Sequence, residues 1–176
     1  MKNAIRIFGL SMVVILMCSV IVNAQTKGDK AVGGGLSLGT IGISSNYGIN
    51  AKYQYNILDR VRLEGAVTYY LKKNDQSMYD FGASGHYLFR TGDRLALYPL
   101  AGFGLWAVKI DENGYGYDED YEYETKKTVK AFFAISFGGG VDYMLKENLS
   151  LNAEIKYKII EYYSRAIISV GVTYRF

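Results

Sequence analysis

His86 is the sole histidine of this 176-residue chain, and Ser84 lies two residues before it. On an extended segment residues two apart share a face, so the pair would meet. A serine beside an imidazole is the core of nucleophile and general-base chemistry, which also needs a carboxylate to orient the ring. A second candidate is segment 111–128, DENGYGYDEDYEYETKKT, where seven carboxylates stand against Lys126 and Lys127. Asp111, Asn113, Gly116 and Glu122 fall at positions 1, 3, 6 and 12 of an EF-hand-like loop. Tyr115 takes the fifth place, where calcium needs an oxygen ligand, and no helical pattern flanks the segment. No metal or other cofactor is expected. Cys18 is the only cysteine and lies in an N-terminal apolar run, which excludes a disulfide framework, a thiol nucleophile or a cysteine metal site from the rest of the chain.

A third set of polar side chains recurs at alternate positions: Lys52, Arg62, Glu64, Lys72, Asp80, His86, Arg90, Asp142, Glu154, Lys156, Lys158, Arg165 and Arg175. Their neighbours on the opposite parity are apolar. In 47–57, Tyr47, Ile49, Ala51, Tyr53, Tyr55 and Ile57 alternate with Gly48, Asn50, Lys52, Gln54 and Asn56. The same division runs through 29–40, 60–72, 78–90, 129–144, 149–159 and the terminal strand to Phe176, where only Ile167 is out of step. Segment 95–109 is apolar on both parities, and we place Leu97, Ala101, Phe103 and Leu105 outward so that Gly102 and Gly104 turn inward. A period of two over seven of the eight segments predicts strands with one apolar and one polar face. Twenty glycines and seventeen tyrosines against one proline agree with a chain of many strands.

The connections alternate too. Tight turns at 58–60, 91–94 and 146–148 contrast with longer ones at 43–46, 73–77, 111–128 and 161–164. The N-terminus begins with Lys2 and Arg6, continues into an apolar run and ends in Val22-Asn23-Ala24, the pattern of a secretory signal peptide cut between Ala24 and Gln25. The expected organisation is therefore a signal at 1–24 and one β-domain at 25–176. Loss of Lys2 and Arg6 leaves the basic and acidic residues nearly balanced, which excludes a nucleic-acid partner.

The last eight residues carry Ser169, Gly171, Tyr174 and Phe176 in the order polar, x, Gly, x, x, aromatic, x, aromatic. That order resembles the C-terminal signal by which bacterial outer-membrane barrels are recognised for assembly. Together with Gly138-Gly139-Gly140-Val141-Asp142-Tyr143 and Tyr98-Pro99-Leu100-Ala101-Gly102, it makes 29–176 similar to small eight-stranded outer-membrane barrels of the OmpX or OmpA-barrel type. The resemblance implies an all-β, eight-stranded antiparallel up-and-down transmembrane β-barrel in a Gram-negative outer membrane. It implies as partners outer-membrane lipid and the barrel assembly machinery, a monomeric state, and no particular activity.

Within such a barrel Lys52, Arg62, Glu64, Asp80, His86, Arg90, Asp142, Glu154, Lys156 and Lys158 are expected to form a polar network in the lumen. Lysine or arginine facing lipid at the bilayer midplane would cost about 2–4 kcal/mol each. An eight-stranded barrel is just wide enough for side chains to fill, so mixed charges read as an ion-paired plug, with a narrow passive porin-like channel for small solutes as the alternative. Ser84 and His86 then read as interior hydrogen bonding, and the protein as not an enzyme. Asn113-Gly114 is a hairpin signal. Tyr115, Tyr117, Tyr121 and Tyr123 share parity beyond it, giving an acidic extracellular hairpin. It serves either as a solvated loop or as a binding edge for an extracellular protein or matrix partner.

Overall fold

The computed structural model describes residues 27–41, 44–73, 76–112, 126–161 and 163–176. The expectations for Ala24 and Gln25, and for Asn113, Gly114, Tyr115, Tyr117, Tyr121 and Tyr123, lie outside the described residues. Nine strand segments follow one another: β1 (Lys30–Ile41), β2 (Ser44–Leu58), β3 (Val61–Lys73), β4 (Gln76–Tyr87), β5 (Phe89–Thr91), β6 (Leu95–Glu112), β7 (Lys126–Lys146), β8 (Leu149–Ile160) and β9 (Tyr163–Arg175). Sequential neighbours that pair do so antiparallel, β4 and β5 both lie against β6, and β9 returns to β1 from Ala31↔Arg175 to Thr40↔Ala166. The sheet thus closes on itself, and backbone groups that would form edges are paired.

The expected single strand 78–90 is interrupted at Leu88, so β4 and β5 are two parts of one stave and the ring has eight. The register is continuous across the break, His86↔Leu100 on one side and Phe89↔Leu97 on the other. This places Tyr87 opposite Pro99, which has no N–H to donate to the ladder. On its other side Leu88 keeps its bond, donating to the Arg60 carbonyl at 2.8 Å.

Alternation sorts the side chains. Leu36 (63% exposed), Phe103 (62%), Ile49, Ile155 and Val170 point outward, while Gln54, Arg62, Glu64, Asp142 and Glu154 are buried inside. A contiguous apolar exterior around a polar interior is the reverse of a soluble protein and fits immersion in hydrocarbon. In β6, Leu97, Phe103 and Leu105 face out, with Tyr98, Leu100 and Trp106 buried within. Ile167, out of step in the sequence, is buried in the lumen with Ile160 and Ala134. Lys72 departs from the lumen expectation: it is exposed near the end of β3, where the stave leaves the packed region.

The interior is narrow enough that some positions exclude any side chain. A Cβ added to Gly138 would sit 2.0 Å from the Ile155 carbonyl oxygen and 2.9 Å from the Lys156 Cα, both backbone atoms of β8. Gly138→Val should therefore lower folding stability by about 1–3 kcal/mol, the usual cost of overpacking, read from the urea midpoint of the folded form's electrophoretic mobility.

Candidate functional site

The described lumen side chains stand in five levels, each set by the inward parity of its strands. Nearest the short turns, β5 carries Arg90, whose Nη2 donates to the Asp59 carbonyl at 2.9 Å, and Arg175 lies 3.8 Å from Asp29. Both arginines are only partly buried. Arg90 thus departs from the expected lumen network, because β5 has already reached the rim where the turn offers it a carbonyl.

The next layer is a stack. The Arg62 guanidinium lies over the Tyr98 ring, 4.6 Å from its centroid, and Tyr98 stacks on His86 at 4.8 Å and 6°. Arg62 Nη1 donates to Asp142 at 2.6 Å, while its Nε and Nη2 lie 3.2 and 3.0 Å from His86 Nδ1. Arginine has only donors, so Nδ1 accepts and these partners assign the ring proton to Nε2. Nε2 then donates to Ser84 Oγ at 2.9 Å. The imidazole is turned the wrong way to take the serine proton, and Arg62 occupies the place where a triad carboxylate would stand. Ser84 and His86 do meet, as a hydrogen-bonded pair.

Above the stack lies a square of two lysines and two glutamates. Lys52 Nζ is 2.9 Å from Glu154 and 3.5 Å from Glu64, and Lys156 Nζ is 2.7 Å from Glu154 and 3.6 Å from Glu64. The Tyr98 hydroxyl ties the square to the stack, donating to Glu154 at 2.9 Å, and Gln54 Nε2 donates to Glu64 at 2.8 Å. Higher still, Lys158 pairs with Asp80. Lys52, Arg62, Glu64, Asp80, His86, Asp142, Glu154, Lys156 and Lys158 are thereby brought together along one axis.

Tyrosine and tryptophan complete the lumen in a way that parity counting missed. At the long-loop end Tyr70, Trp106, Ala134, Ile160 and Ile167 form a buried apolar cluster. Arg165, 1% exposed, threads into it with its guanidinium 4.3 Å from the Trp106 ring and 4.8 Å from Tyr70. Arg165 Nε and Nη2 have no hydrogen-bond partner among the described residues, so the two ring faces are what offset its desolvation. Gly39 provides the room, since a Cβ there would lie 1.9 Å from Nη2. The one available signal was that Tyr70 and Trp106 stand on the inward parity of their strands.

Two small open spaces lie inside, among the described residues. A polar space of about 40 Å³ lies between the square and the Lys158–Asp80 pair, lined by Glu64, Thr68, Ser84 and Lys156 among others, and one of about 10 Å³ lies at the short-turn end. The larger has room for about one or two water-sized molecules. Of the C-terminal residues, Ser169 is buried and pairs with Ser37 at 2.9 Å, Gly171 is partly buried, and Tyr174 and Phe176 face outward. The Phe176 amide donates to the Lys30 carbonyl at 2.9 Å, bonding the chain end to the seam between β9 and β1.

The family described as outer membrane protein beta-barrel domain matches residues 11–176, and the chain belongs to that family. Among solved structures it resembles Ail, the attachment invasion locus protein of Yersinia pestis, at 17% identity and a TM-score of 0.61, covering 86% of this chain and 100% of that one. Ail in complex with the heparin analogue sucrose octasulfate matches at 16% and 0.62, with the same coverage. Neisserial surface protein A matches at 19% and 0.64, over 84% of this chain and 96% of that one. At these identities the likeness shows the fold. No curated protein matches the chain. The protein is thus a bacterial outer-membrane barrel.

The square makes the lumen sensitive to single changes. Glu154→Ala leaves Lys52 and Lys156 buried without their nearest carboxylate and the Tyr98 hydroxyl without its closest acceptor. It should cost about 3–5 kcal/mol in a urea titration, whereas the rim variant Arg90→Ala should cost less than about 1 kcal/mol.

Proposed function

We propose that this outer-membrane barrel acts by surface contact through the hairpin joining β6 to β7, with its lumen serving as a plug and not as a catalytic site. The observation that supports the reading is the unequal height of the staves. β6 and β7 pair out to Glu112↔Lys126, yet β7 meets β8 only from Ala134↔Ile160 inward. Residues 126–133 of β7 therefore have no partner on the β8 side among the described residues. Val129 and Phe133 on that stretch are 63% and 56% exposed. An unpaired edge of this kind accepts an added strand, whose main-chain bonds supply affinity while flanking side chains supply choice of partner.

Charge narrows the partner. Seven carboxylates against two lysines in 111–128 favour a basic protein or matrix surface and disfavour a polyanion of the kind bound by Ail. The C-terminal residues Ser169, Gly171, Tyr174 and Phe176 are the proposed address for the assembly machinery, and their role ends once the seam has closed. The Nε2–H tautomer of His86 supports a protein that is not an enzyme. A lipid-deacylating activity present in the purified protein and lost in His86→Ala would overturn that part.

The channel alternative predicts conductance. The packed lumen predicts that refolded protein in planar bilayers gives no single-channel steps, and steps abolished by neutralising Lys156 and Lys158 would establish a pore instead. For the contact role, deletion of residues 112–126 should leave the heat-modifiable folded form intact and reduce attachment of whole cells to a host or matrix surface to background. Unchanged attachment by the deletion variant would remove the proposal.

A further inference from the structure

A second feature lies on the outside of the barrel, away from the hairpin and the lumen. Across β1, β9, β8 and β7 runs a depression of about 580 Å³ with an almost wholly apolar lining. Its volume is within the range of small-molecule sites, about 300–1,000 Å³. Short side chains make the floor. Gly34 lies beside Val172, and Ala153 lies between Val170 and Val141. Leu36, Tyr143 and Leu151 line it as well, and Tyr143↔Leu151 stands close to the tight turn after Lys146, on the periplasmic side by the short-turn rule.

The depression lies on a face immersed in hydrocarbon, which limits what can occupy it. A second barrel is a rigid convex wall and cannot bend to follow the hollow. A fatty acyl chain bends to follow such a floor and gains contact along its length. Charge complements the shape. Lys30 is exposed, stands on the same outward row as Val32, Gly34 and Leu36, and has no ion-pair partner among the described residues. Four residues of strand separate Lys30 from Gly34, about 13 Å. Half the hydrocarbon thickness is about 15 Å, so an ammonium there stands at headgroup level when the chain lies in the hollow.

We infer that this depression is a binding site for one bilayer phospholipid of the periplasmic leaflet, its acyl chain lying over Gly34, Val172 and Ala153 and its phosphate paired with Lys30. The inference uses only the barrel's place in the membrane and is independent of the hairpin's role.

Native mass spectrometry of the full chain, extracted in mild detergent and titrated with phosphatidylglycerol, tests it. The wild type should retain one lipid per barrel. Lys30→Gln should weaken retention about fivefold, the usual contribution of one cation near an anionic headgroup. Ala153→Leu, which fills the floor from outside, should abolish retention while the heat-modifiable mobility shows an intact barrel. Equal retention in the wild type and both variants would overturn the site by showing unspecific lipid, and a dimer lost only in Ala153→Leu would overturn it in favour of a second copy.

Discussion

Closure of the hydrogen-bond ladder between β1 and β9 is the constraint on which the rest of this molecule depends. In hydrocarbon no water is present to satisfy a free N–H or C=O, and each orphan costs several kcal/mol. Ten residue pairs, from Ala31↔Arg175 to Thr40↔Ala166, remove the two edges that an open sheet of the same strands would present. The Phe176 amide extends the seam by one more bond, to the Lys30 carbonyl. Pro99 marks how little slack exists. One missing donor interrupts the neighbouring stave at Leu88, and it does so close to the short-turn end.

A closed ring of eight leaves a lumen the width of packed side chains, and the interior chemistry follows from that width. Glycines stand where two backbones approach too closely for a Cβ, and charged groups buried in the lumen must find one another. The lower half meets this demand with carboxylates, in the Arg62–Asp142 pair and the square of Lys52, Glu64, Glu154 and Lys156. The upper half meets it with ring faces around Arg165. Two unlike fillings therefore stand in series along the lumen, and its upper and lower parts can be disturbed separately. They also direct attention to the outside of the barrel, where β7 rises past its neighbour and an apolar hollow interrupts the wall.

Alternation carried most of the fold. Tyr47 to Ile57 states its two faces without ambiguity, and Lys52 and Gln54 are both buried as their parity requires. The charged members of the network were legible for the same reason, since no other placement keeps a lysine out of lipid. Aromatic residues were not, because Tyr98 or Trp106 is at home on either face of such a wall. Tyr98 is nevertheless the centre of the lower half, its ring in contact with both Arg62 and His86 and its hydroxyl on Glu154. Lys72 and Arg90 have the parity of the lumen yet are exposed and half-buried respectively, since parity gives the face of a strand and says nothing of how far along the barrel a residue stands.

The sequence by itself determined that the chain makes eight staves with an apolar outside and a charged inside, because a period of two in a membrane admits one arrangement of faces. It also determined that Ser84 and His86 would share a face. Only the tertiary structure decided what that pairing means, by bringing Arg62 from the neighbouring stave to His86 Nδ1 and so turning the ring proton toward the serine. Partner choice across the lumen depends on stave register and barrel closure, which join residues as far apart as Lys52 and Glu154. Local spacing contains no record of that distance.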